Sequence, residues 1–435
     1  MPKLFKKVAV AIASGSLVFA SFLPAALAEL TVEISGNGAS STNTVGVSTT
    51  TTTTVNQTNN ADIDNNIDVD SDTGNNEANY NTGGDTSINT GDAHVDVSVT
   101  NEANSNSASV ESCNGCPGDL EVTISGNGAH SDNDIGVALS STTTVNQTNY
   151  ADVDNDVDVD ADTGDNDANG NTGGDVEIST GDAHVEVGVH NLLNANSASV
   201  NPGDGEGGGL SIWITDNGAH STNTIGLAAS SYTTVNQTNN ADVDNNVDVD
   251  ADTGNNDANW NTGGDVSIDT GDAHVDVDVD TTANFNWADI GDCCLLDGTV
   301  KIAGNGFESD NDLGLALSSA VYANQDNNYD CSGRGGWETP WESWRGDHRS
   351  KDCNDVDVDA DTGDNRANEN THFDGDPSIS TGDASSSVAV STTANANGLT
   401  IGGDILDEFE MDFPEDFPFE FDGFLGWWGF WARSV

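Results

Sequence analysis

The densest chemistry in the sequence is carboxylate. An alternating acidic run recurs four times, and each run closes on Thr-Gly. The first holds Asp62, Asp64, Asp68, Asp70 and Asp72, and the second Asp152, Asp154, Asp156, Asp158, Asp160 and Asp162. The third holds Asp242, Asp244, Asp248, Asp250 and Asp252, and the fourth Asp355, Asp357, Asp359 and Asp361. In an extended strand alternate side chains share a face about 7 Å apart, so one run alone cannot wrap an ion. Two other arrangements can. Strands stacked about 4.8 Å apart bring carboxylates of neighbouring copies close enough to bridge calcium, which takes 6 to 8 oxygens. Alternatively, the end of a run, Asp158-Val159-Asp160-Ala161-Asp162-Thr163-Gly164-Asp165-Asn166-Asp167, resembles the DxDxDG loops of EF-hand type. Its glycine comes one place late and no glutamate closes it at the expected position. All these Asp residues are candidate metal ligands, and calcium is the expected cofactor. The plainer alternative is a solvated acidic face opposite a Val face. Against it, like charges this dense on one strand destabilise it unless they are neutralised.

A second candidate is the Asp-x-His pair, found as Asp92 and His94, Asp182 and His184, Asp272 and His274. It shares a strand face with Glu186 or Asp276. Such a cluster suits zinc or pH sensing. The fourth copy has Ser385 at this place, and a surface histidine beside acids is the simpler reading. For catalysis no residues stand out: carboxylate pairs are everywhere, so no single pair points to glycoside chemistry. The chain is therefore read as no enzyme, with a polysaccharide-active β-helix enzyme as the competing class. The sites of such enzymes generally carry Lys or Arg for acidic substrates, and the three regular copies have neither.

Between Glu29 and Val300 there is no Lys or Arg, and the formal net charge of the chain is -64. That excludes a nucleic-acid partner, which needs basic side chains against phosphates. Divalent cations are the natural counterpart of such a chain, or high salt, since either lowers its self-repulsion.

The elements that must hold these residues are repetitive. Thr-Gly-Asp-Ala-His-Val recurs at Thr90, Thr180 and Thr270, and Val-Asn-Gln-Thr-Asn at Val55, Val145 and Val235, a period of 90 residues. Within a copy the pattern alternates with period two, as in Leu120-Glu121-Val122-Thr123-Ile124, in Val153, Val157 and Val159 among the Asp residues, and in Val185, Val187 and Val189. Gly126-Asn127-Gly128 reads as a tight turn between strands. The fold class is thus all-β: a β-solenoid or stacked β-array of four repeats, with tandem β-sandwich domains as the alternative. The apolar inventory favours the solenoid, because residues 119–199 hold Leu, Ile, Val and Tyr but no Phe, Trp or Met. A narrow interior suits Val, Ile, Thr and Ala, and stacked Asn side chains bond along it as ladders. A 90-residue unit then corresponds to about four or five coils. The expected divisions are 29–110, 119–200, 209–290 and 298–403, the last carrying an insertion at 329–352.

The Asn56-Gln57-Thr58-Asn59 wording and its copies resemble the Gln/Asn-bearing repeats of curli-type amyloid subunits and other Asn/Thr/Gly-rich bacterial surface repeat proteins. The resemblance spans the repeats and not the C-terminal tail, and implies self-association into fibres. The chain departs from the curli pattern in its longer period and its dense Asp content.

Residues 1–28 read as a secretory signal, with Lys3, Lys6 and Lys7 before the apolar stretch Val8 to Leu23 and the small-residue site Ala26-Leu27-Ala28. The expected location is therefore secreted or cell-surface, and cysteines there pair as disulfides. Cys113 is expected to pair with Cys116 and Cys331 with Cys353, while Cys293 and Cys294 stay open. Two segments break the repeat. The insertion carries Trp337, Trp341 and Trp344 beside Arg345-Gly346-Asp347, which suits a glycan or protein contact or a disulfide-held cap. The tail at 404–435 mixes Asp and Glu with Phe409, Phe413, Phe417, Phe419 and Phe421. It ends in Trp427, Trp428 and Trp431, aromatic residues suited to contact with the envelope; a secretion or assembly signal and a cap that folds back on the solenoid are the alternatives.

Overall fold

The computed structural model describes residues 4–13, 18–22, 30–110, 120–200, 210–291, 298–331, 353–372 and 376–401, which form strands, turns and loops with no helix among them. Each repeat makes one turn of a β-solenoid. An opening strand comes first (Leu30–Ser35, Leu120–Ser125, Leu210–Thr215, Gly298–Ala303). Past a corner runs a long strand of 31 residues in coils 1 to 3 (Thr42–Asp72, Asp132–Asp162, Thr222–Asp252). In coil 4 it is split into Asp310–Asp330 and Asn354–Asp361. A lobe follows with a short strand (Thr86–Asn89, Val176–Ser179, Val266–Asp269, Ser378–Ser380). An 18-residue return strand then closes the turn (Ala93–Val110, Ala183–Val200, Ala273–Ile290, Ala384–Ile401).

Each of these strands pairs in parallel with its own equivalents, so four ladders run through the coils. One observation corrects the sequence reading. A repeat is one coil and not four or five, because the long strand runs 31 residues without a corner, about 100 Å when extended. Gly126-Asn127-Gly128, read as a tight turn between strands, is the corner that joins strands of two different sheets. Gly126 turns it at φ 65°, while Asn127 donates from Nδ2 to Asn133 and Asn217, both at 3.1 Å. From the N-terminal segment, Leu4–Ala13 and Val18–Phe22 pair in parallel with the return strand of coil 1.

Period-two alternation decides what is buried. The long and return strands turn their Val, Ile and Ala toward each other: Val157 and Val159 meet Val185, Val187 and Val189, with Val95, Val97, Val275 and Val277 above and below. A second cluster joins Val122 and Ile124 of the opening strand to Ile135 and Val137 at the start of the long strand. No large aromatic side chain is needed, because two facing strands leave a thin interior. Buried Val or Ile contributes about 1.5–3 kcal/mol each.

Asparagine is the commonest of the buried polar residues, beside Thr, Ser and Gln, and stacking pairs most of its side-chain atoms, Asn104 Oδ1 and Asn171 Nδ2 being exceptions among the described residues. Asn155 is fully buried; it donates from Nδ2 to Asn245 at 2.6 Å and Asn191 at 3.2 Å and accepts from Asn65 at 2.7 Å and Asn101 at 2.9 Å. Gln147 donates to Gln57 at 2.7 Å and to the Ser197 carbonyl at 2.8 Å. In the return strand two successive residues, Leu193 and Asn194, face inward. Asn194 adopts φ 60° there, a left-handed conformation that Asn tolerates better than most residues, and donates to Asn284 at 2.9 Å.

The break in coil 4 is closed by the Cys331–Cys353 disulfide, as the spacing predicted. It lets the long strand resume in register, with Asn354 opposite Asn245. Cys113, Cys116, Cys293 and Cys294 lie outside the described residues, as do Trp337, Trp341, Trp344 and the tail.

Replacing Asn155 by Ala leaves its ladder partners unpaired in the interior. The expected loss is about 1–3 kcal/mol, read as a fall in the thermal midpoint by circular dichroism. Asn146→Ala removes hydrogen bonds on the outer face, one donated to Asn56 and one accepted from Asn236, and is expected to change stability by less than about 0.5 kcal/mol. Equal effects of the two substitutions would contradict an interior ladder.

Candidate functional site

One coil per repeat turns every outward residue into a column. On the long strand the Asp side chains point outward and the Val, Ile and Asn side chains between them inward. The pairing stacks Asp62 on Asp152 and Asp242, Asp64 on Asp154 and Asp244, Asp68 on Asp158 and Asp248, Asp70 on Asp160 and Asp250, and Asp72 on Asp162 and Asp252. Beyond its insertion, coil 4 continues three of these columns with Asp357, Asp359 and Asp361. The result is a grid of carboxylates about 4.8 Å apart along a column and about 7 Å apart along a strand.

The grid is not the uniform set of the sequence reading. Asp156 and Asp355 belong to a mixed column, Asn66-Asp156-Asn246-Asp355. There Asn246 donates to Asp156 at 2.9 Å, so hydrogen bonding replaces repulsion. Asp330, which sequence reasoning passed over, completes the Asp62 column by pairing with Asp242. Its signal was present: it stands one residue before Cys331, at the point where the run breaks for the insertion. A further acidic column, Glu77-Asp167-Asp257, ends at Arg366 in coil 4.

The end of each run is spent on the backbone. Asp162 accepts from the Gly164 amide at 2.5 Å, and Asn166 is buried in a ladder, donating to Asn256 at 2.8 Å and the Thr163 carbonyl at 3.0 Å. Gly164 itself is required by stacking, because a Cβ there would sit 2.0 Å from the Gly254 carbonyl oxygen. The Thr-Gly after each run thus marks close contact between coils and not an EF-hand turn. Among the described residues no group of three or more His, Cys, Asp or Glu converges as a ready-made metal cluster.

Electrostatics follow from the stacking. Asp162 is pushed up to about 7, first by burial and then by Asp165, Asp252 and Asp72, against the lowering effect of its bond from Gly164. Asp250 is pushed up to about 6 by burial and then by Asp160, Asp252, Asp359 and Asp248. Asp160, Asp244, Asp248 and Asp252 are also raised, with burial first among the causes.

The Asp-x-His pairs form a column of their own. His94, His184 and His274 stack face to face with centroids 4.7 and 4.9 Å apart, and His274 Nδ1 lies 2.8 Å from the Ser385 hydroxyl. Burial and then the neighbouring imidazoles lower the His184 pKa. Parallel rings hold their in-plane nitrogens side by side, a poor start for a tetrahedral zinc site. No protein-family model, curated protein or solved structure matches the chain, so its class rests on these features: an acidic β-solenoid with one coil per repeat.

Asp162 and Asp250 titrate above their ordinary range, so between about pH 4 and their raised values the folded chain holds protons that the unfolded chain has released. Their stability contribution is complete below about pH 4 and is lost as pH rises through 6 to 7. In chelator, the thermal midpoint is expected to rise as pH falls from 8 to 5, and the Asp162→Asn/Asp250→Asn variant to show a flatter profile. A variant as steep as the wild type would remove these two groups from the account.

Proposed function

We propose that this is an exported structural protein of the cell surface or extracellular matrix, not an enzyme. Its Asp face takes up divalent cations, calcium foremost, and it serves in adhesion or in the assembly of filaments or matrix. The observation that carries the reading is the in-register stacking of Asp on Asp. Two carboxylates about 4.8 Å apart repel by about 1 kcal/mol even in a water-like dielectric, before salt screening. Summed over five columns this opposes folding by an amount comparable with a whole domain's stability, about 5–15 kcal/mol. Protons, salt or bound cations must offset it. Calcium suits the grid because it accepts many oxygens in flexible geometry, and Asp side chains in one column approach one another by rotating about χ1.

Further features support parts of this reading. The Cys331–Cys353 disulfide fits an oxidising compartment, in agreement with the leader-like residues 1–28. Recurrence of the same side chains in every coil supports a surface used many times over, rather than one reaction centre. Trp337, Trp341 and Trp344 are proposed to reach a glycan or protein partner, and Trp427, Trp428 and Trp431 the envelope. The Asn/Gln wording shared with curli-type repeats supports self-association.

A ligand that prefers the folded state raises stability once its concentration exceeds its dissociation constant. Millimolar calcium is therefore expected to raise the melting point of the chain from residue 29 onward. The rise should exceed that in sodium chloride of matched ionic strength, and should be larger at pH 8 than at pH 5. An equal rise in the sodium control would reduce the Asp face to a screened polyanion.

A further inference from the structure

Coil 4 ends the described array with its interior face uncovered by any described residue. Leu313, Leu315 and Leu317 are 45%, 55% and 52% exposed, while Ile225, Leu227 and Ala229 beneath them in the same columns are 0%, 3% and 6% exposed. Val388, Val390, Leu399 and Ile401 of the return strand are also exposed. A face of this kind combines apolar surface with an open strand edge, both of which attract a cover.

The chain itself runs on from this edge. The return strands of coils 1 to 3 end at Val110, Val200 and Ile290, and the next opening strands start at Leu120, Leu210 and Gly298. Those steps are ten, ten and eight residues. The same step of eight from Ile401 reaches Phe409. There Phe409-Glu410-Met411-Asp412-Phe413 repeats the alternation of an opening strand such as Leu120-Glu121-Val122-Thr123-Ile124.

We propose that the uncovered coil 4 face is the docking site of the chain's own segment Phe409 to Phe413, which pairs with Gly298–Ala303 as the start of a fifth, unfinished coil. The register of the other opening strands sets Phe409 beside Gly298, Met411 beside Val300 and Phe413 beside Ile302. Val300 and Ile302 already pack against the cluster formed by the opening strands and the start of the long strands. Glu410 and Asp412 fall on the wet face, as acidic residues do elsewhere in the molecule.

The sequence also explains why the array stops. Pro414 follows at once and Pro418 four residues later, and neither has an amide hydrogen to donate to a ladder, a known way of closing a sheet edge. No Asn-Gly pair follows Phe413, whereas the corner of every coil carries one: Asn37-Gly38, Asn127-Gly128, Asn217-Gly218 and Asn305-Gly306. The segment is thus a cap and not an extension, and it leaves Trp427, Trp428 and Trp431 beyond it. The proposal holds whether or not the Asp columns take cations.

The test uses the full chain with Val300→Cys and Met411→Cys, oxidised mildly at high dilution and read by peptide mapping. An intrachain crosslink is expected, at least tenfold more abundant than in the off-register pair Val300→Cys/Asp412→Cys. Separately, truncation after Gly403 is expected to speed amide exchange in Gly298–Ala303 and residues 310–317 at least tenfold. Equal crosslinking in both pairs, none in either, or unchanged exchange after truncation would each overturn the cap. A crosslink formed between chains, or protection of coil 4 that appears only as concentration rises, would make a second copy the occupant and overturn it too.

Discussion

The structure depends on a match between two lengths: the repeat of 90 residues and the contour of one coil. Because they agree, each residue lies on its own equivalent, and parallel pairing extends that relation through all the coils. Interior columns of Val and Ile bury apolar surface, and interior columns of Asn turn otherwise costly buried amides into continuous ladders. Asn155 shows how complete this is, with partners above, below and across the interior. A shift of one residue would send the apolar face to water and the Asp face inward, so the register is held by both faces at once.

The same match produces the strain on the outside. Stacking like on like is favourable for Asn, which is donor and acceptor together, and unfavourable for Asp, which only accepts when ionised. The chain relieves part of this internally. Asn66 and Asn246 dilute one column, Asp162 and Asp252 accept bonds from glycine amides, and Arg366 ends another column. What is left is a grid of stacked carboxylates, several of them raised in pKa by burial and by one another, which ties the fold to pH. The His column is the third outcome of the same rule: the rings stack face to face, and burial and then the two flanking imidazoles lower the pKa of the middle ring, His184.

Much of this was legible in the residues. Period-two alternation and the thin apolar inventory gave an all-β stacked array, and the spacing of Cys331 and Cys353 gave their pairing. The number of coils was not legible, because alternation reports that a strand is extended but not where it bends. The stretch from Thr49 to Thr54 and on to the Asp run at Asp62 carries no Gly or Pro, yet that absence alone did not establish an uninterrupted strand. The EF-hand resemblance misled for a related reason. Gly164 looked like a ligand-loop glycine, whereas its neighbour in space is the carbonyl of Gly254, ninety positions away.

By itself the sequence determined which residues alternate, which repeat and where the repetition is broken, since these are properties of order along the chain. Only the tertiary structure decided which Asp meets which: that Asp330 joins the Asp62 column, that Asp156 faces asparagine, and that Asn166 is buried in a ladder. Those contacts join residues far apart along the chain, in coil 4 across an insertion. Local propensity carries no record of them until the coil closes and its register is set.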